Sequence, residues 1–90
     1  MEAALCQERL AVVERRFRKA CEQIVHMNHR LSNLERRYNR AKKEGHKSFR
    51  YTLRLRIAVV DGVREVYFDF AHQKAQEAEE LRGVLKRLTC

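Results

Sequence analysis

Few residues in this 90-residue chain carry reactive chemistry, and their spacing limits what they can do. His26 and His29, three apart on a helix, can approach one ion together, with Glu22 one turn from His26 and Glu65 reachable only from elsewhere in the fold. Cys21 lies five residues before His26, a step that sends the two side chains in different directions. It therefore makes no third ligand, and as a nucleophile beside a base it would lack the enclosed pocket that a rod of two helices cannot offer. No Walker loop, G-x-S-x-G elbow, H-E-x-x-H helix or dinucleotide fingerprint occurs in the sequence. The expectation is no catalytic residue, no metal site, no cofactor and no small-molecule substrate. Ser48 and Thr52 stand among basic residues, where phosphate groups would lower the local charge.

The chemistry that does stand out is charge. Arg36, Arg37, Arg40, Lys42, Lys43, Lys47, Arg50, Arg54 and Arg56 fall within 21 residues and are opposed only by Glu44, so this segment carries the whole formal net charge of +8. The rest of the chain is balanced. Converging cations attract acidic protein surfaces and nucleic-acid phosphates alike. Tyr38, Phe49 and Tyr51 lie among them and would stack on bases if exposed, although Tyr38 and Phe49 are expected in the core. No zinc finger, helix-turn-helix or RNA-recognition signature is present, so any nucleic-acid binding would be led by phosphate and indifferent to sequence.

The elements that must position these cations follow from the apolar pattern. With Ala3 as heptad position a, the a sites are Ala3, Leu10, Phe17, Ile24, Leu31 and Tyr38, and the d sites are Cys6, Val13, Ala20, Met27, Leu34 and Ala41. All are apolar or small, which predicts a long helix with a coiled-coil seam, about 60 Å over about forty residues. Lys42-Lys43-Glu44-Gly45 supplies cations for the last turn and a glycine for the left-handed position beyond it. Ser48 is then available as the N-cap of a second element.

As a second helix, the remainder folds back so that facing residue numbers sum to about 91. The first seam then meets Leu53, Ile57, Val60, Arg64, Tyr67, Ala71, Lys74, Ala78, Leu81, Leu85 and Leu88, nine of which are apolar or small. The rival is a β-hairpin over 49–70. Phe49, Tyr51, Leu53, Leu55, Ile57 and Val59 alternate with Arg50, Thr52, Arg54, Arg56 and Ala58, and Asp61-Gly62 suits a two-residue turn. That fold leaves the six-heptad seam facing only a short C-terminal helix. The all-α reading is therefore preferred: one domain over 1–90, an antiparallel two-helix coiled-coil hairpin with helices at about 3–44 and 48–88 and a turn at 45–47.

In that hairpin Tyr51, Leu55, Val59, Val66 and Phe70 form a second apolar stripe, while Cys21 and Val25 widen the apolar face of the first helix. Stripes this wide call for burial on two sides. Dimerisation into a four-helix bundle, or docking on a helical partner protein, would supply it, with Phe17, Ile24, Leu31 and Leu34 joining the stripe in the interface.

The composition agrees with this reading: no proline, three glycines, 44% apolar and 36% charged residues suit long helices. Ninety residues leave no room for two cores and exclude most enzyme scaffolds. No apolar run approaches the length of a membrane span. The acidic first residues do not resemble a secretory signal, and Cys6, Cys21 and Cys90 lack a C-x-x-C pair, as free thiols in a reducing compartment would. The expected function is therefore that of an intracellular interaction and oligomerisation module, cytoplasmic or nuclear, whose basic tip docks on an acidic partner. The alternative is a nucleic-acid-associated adaptor that binds phosphate through the same tip.

Overall fold

Apolar residues recurring every three or four positions wind the first half of the chain into one helix, α1 (Ala3–Glu44). The computed structural model of the chain describes residues 2–89; Cys90 lies outside them. α1 ends in a Schellman motif. Gly45 takes φ 76°, its N–H donates to the Lys42 carbonyl at 3.4 Å, and the His46 N–H donates to the Ala41 carbonyl at 3.0 Å. Lys42 and Lys43 complement the dipole in the last turn.

The chain reverses within two residues and enters α2 (Lys47–Thr89). The sequence points to Ser48 as the N-cap, but His46, two residues earlier, takes that place. The His46 carbonyl accepts the first intrahelical bond, from the Arg50 N–H at 2.9 Å, and the Ser48 carbonyl accepts from the Thr52 hydroxyl at 3.2 Å. Two all-but-equal helices therefore lie side by side as a hairpin 66 Å long and 14 Å across.

Residues 49–70 are helical, and the β-hairpin alternative is excluded. The alternation that suggests a strand is two helical rows offset by two residues. Leu53 and Ile57 turn to the seam, and Tyr51, Leu55 and Val59 turn outward, each row keeping the four-residue step of a helix. Asp61-Gly62 makes no turn. Asp61 instead accepts a hydrogen bond from Arg64 within the helix at 2.6 Å. Only a full-length second helix covers the six-heptad seam of α1.

Side-chain bonds across the seam report the register. Arg54 with Tyr38, and Arg64 with Asn28, are pairs whose numbers sum to 92, one residue from the expected value. Near the turn, Leu31, Leu34, Ala41, Leu53 and Val60 form one buried cluster, with Met27, Tyr38 and Ile57 packed against it. Farther along, Ala20, Ile24 and Ala71 form a second, flanked by Phe17 and Tyr67. Each fully buried Leu, Ile or Val contributes about 1.5–3 kcal/mol relative to exposure.

Two charged residues interrupt the apolar seam. Arg64, between the clusters, keeps its Nε buried without a partner while its terminal nitrogens reach Asp61 and Asn28, with the Phe68 ring 5.9 Å away. Lys74, its side chain largely covered, reaches Glu77 at 2.9 Å, 5.3 Å from the Phe70 ring centroid. Beyond them Cys6, Val13 and Ala78 are buried, and the Cys6 thiol donates to the Leu81 carbonyl at 3.3 Å. Among the described residues, no helix is long and apolar enough to cross a membrane.

Candidate docking face and basic tip

Because α2 repeats its apolar residues on two rows, only one can pack against α1. The other, with Tyr51, Leu55, Val59, Val66 and Phe70, lies exposed, Val66 at 67%. Val63 adds to the row one turn beyond Val59. Large apolar residues in one continuous line are unusual on a surface that stays in water.

The four α1 residues expected beside this stripe sit elsewhere. Ile24, Leu31 and Leu34 are buried between the two helices, and Phe17 packs half-buried against the second cluster. The seam takes up most of their surface, although Leu34 still lines a groove beside the stripe and Phe17 keeps part of its ring exposed. Val25 is exposed, but one residue past Ile24 it turns to the opposite flank from Gln23 and does not extend the α2 stripe.

The shallow groove alongside the stripe, between the helices, is made up of three separate depressions. Near the turn it is lined by Arg30, Asn33 and Arg37 from α1 and by Leu55, Arg56 and Val59 from α2. Arg16, Lys19 and Gln23 face Tyr67 and Phe70 farther along, and Arg9 and Val12 face Glu77 beyond that. The α1 wall is therefore a row with seven-residue spacing: Arg9, Arg16, Gln23, Arg30 and Arg37. Counting charge by segment hides this row, since the body of the rod is neutral only as a sum. Heptad position is the signal that reveals it, because all five residues occupy position g. Glu14, on the other flank of α1, pairs with Arg82 at 3.0 Å.

All nine tip cations gather at the turn end of the rod, and none forms an ion pair with a carboxylate among the described residues. Glu44, the one acid within residues 36–56, instead pairs with His46 at 3.4 Å. Some of the nine are held in place. Arg36 donates to the Asn33 side chain, and Arg54 donates to the Tyr38 hydroxyl at 2.9 Å. This hydrogen bond, together with the charges of Arg54, Arg50 and Lys42, holds the Tyr38 phenol below its ordinary value. Phe49 is not core: it is 44% exposed, with the Arg37 guanidinium 5.7 Å from its ring centroid. Tyr51 is exposed beside it.

His26 and His29 are exposed on α1, and among the described residues no three of His, Cys, Asp or Glu come together as a metal-binding group. Searches of family models, characterised proteins and solved structures found no match to this chain.

Proposed function

We propose that this hairpin is a non-enzymatic interaction module that docks through the outer stripe of α2 while its basic tip engages an acidic partner. The exposed line from Tyr51 to Phe70 carries the reading, because leaving it in water forgoes burial that a helical partner would supply. A second hairpin completing a four-helix bundle, or a helix from another protein, buries the same line. A two-helix rod 14 Å across has no interior behind its seam in which to shield a reaction from water, which favours binding over catalysis.

The test is a comparison of the wild type with a Val59→Ser, Val66→Ser double variant. Both residues are exposed, so the fold should survive, as circular dichroism would verify. The variant should lose self-association in light scattering, or lose binding of helical peptides by fluorescence anisotropy. If it matches the wild type in both measurements, the stripe has no docking role.

A second reading has its own support. Phe49 and Tyr51 are exposed among unpaired cations, an arrangement suited to stacking bases while arginines hold the phosphates. It makes the tip a sequence-independent nucleic-acid contact.

A further inference from the structure

The groove beside the stripe has walls of different chemistry. From Leu55 to Phe70 the α2 wall is mainly apolar, with Leu55, Val59, Tyr67 and Phe70 beside Arg56, and beyond Phe70 it ends in Glu77 opposite Arg9 and Arg16. On the α1 wall Arg9, Arg16, Arg30 and Arg37 repeat at heptad spacing. Such spacing aligns side chains along a coiled-coil flank, the place where charge selects the partner helix. Arginine stems lie along apolar surface while their guanidinium groups stay in water, so these residues can border a packed helix without being desolvated.

We infer that the groove receives one helix from a different protein, amphipathic, with an apolar seam that packs on α2 and a flank of Glu or Asp at seven-residue spacing facing the α1 arginines. This rests on the docking role proposed above and specifies its partner. Charge favours such a helix over a second copy. Another hairpin brings the same excess of eight positive charges, and next to its own Val66 and Phe70 it offers only Glu65 and Asp69 as carboxylates. An acidic flank matches this row best at Arg30 and Arg37, where no carboxylate lines the groove, whereas Arg9 and Arg16 lie near Glu77. A basic flank is repelled by the row.

Three synthetic helical peptides of equal length and identical Leu seam, flanked by Glu, Gln or Lys, test this in anisotropy titrations against the full chain. The Glu peptide should bind most tightly, the Gln peptide at least about tenfold more weakly and the Lys peptide more weakly still, with the differences shrinking as salt rises. An Arg30→Glu, Arg37→Glu variant of unchanged helicity balances the row and should remove that order. Equal binding of all three peptides, binding of none, or an order that the variant leaves unchanged would overturn the inference. A stable homodimer that dissociates on Val59→Ser, Val66→Ser substitution would also overturn it, by assigning the groove to a second copy, while the docking role of the stripe would stand. If that double variant alters neither dimerisation nor peptide binding, the docking role itself fails.

Discussion

Arg54 donates a hydrogen bond to the Tyr38 hydroxyl at 2.9 Å, so one of the tip cations also ties α2 to α1. The bond and the positive charge both favour the phenolate, although partial burial opposes them. With the folded pKa below the unfolded one, ionisation of Tyr38 adds stability above the ordinary tyrosine value near 10.0, and this contribution is lost as pH falls through the folded value. Arg54→Gln should move Tyr38 ionisation to higher pH. Tyrosinate absorbance, with Tyr38→Phe as the blank, would measure it.

Leu53 is fully buried at 0% exposure, whereas Leu55, two residues on, lies on the outer face. Leu53→Ala should destabilise the hairpin by about 2–5 kcal/mol, and Leu55→Ala should change stability by less than about 0.5 kcal/mol. Urea unfolding of the two variants separates the rows. Equal losses would mean that both residues are buried in solution.

Two glycines should respond in opposite directions. Gly45 sits at φ 76°, so Gly45→Ala should cost about 1–2 kcal/mol by forcing a side chain into the left-handed region. Gly62 is inside α2, with nothing within 4 Å of the position its β-carbon would take, and Gly62→Ala should add about 0.5–1 kcal/mol. Thermal melts would show one transition falling and the other rising.

Glu77 provides an acid-side test. The hydrogen bond from Lys74 holds its carboxyl below the ordinary value, helped by the charges of Lys74, Arg9 and Arg16 and opposed by partial burial. A lowered folded pKa gives stability that is present above about pH 4.5 and lost as pH falls through the folded value. Melting temperatures across that window should fall less steeply in Glu77→Gln than in the wild type.

For the nucleic-acid reading, a labelled short duplex should bind with an affinity that drops steeply with salt. The dependence should flatten when Arg40, Lys43 and Arg50 are changed to Gln, by about 0.9 in log–log slope for each phosphate contact removed. These three leave the Arg54–Tyr38 bond intact. Absence of duplex binding at physiological salt would leave the tip to acidic proteins.

The seam is legible in the sequence because burial imposes a period. Leu31, Leu34, Leu53 and Val60 stand at positions that a coiled-coil pattern marks without any coordinates, and even the register follows from where the turn falls. The segment from Phe49 to Val59 is ambiguous for a physical reason: two helical stripes two residues apart produce the alternation of a strand. Hydrophobicity alone places Phe49 in the core, but a residue in the first turn of α2 has less of α1 beside it and finds Arg37 instead. The α1 arginine row is invisible to net charge by segment, which does not record which side of a helix a charge occupies.

Cys6 and Leu81 touch, so the start of α1 and the end of α2 lie together at the end of the rod far from Gly45. A pull between those two ends peels the helices apart layer by layer, because each layer of the seam bears the load only after the one before it has opened. A pull between the turn and the paired ends instead runs along both helices at once, so each helix carries about half of the load and no layer of the seam has to open first. The hairpin is therefore weak as a clasp and stiff as a strut, and which of these a partner meets depends only on where it holds.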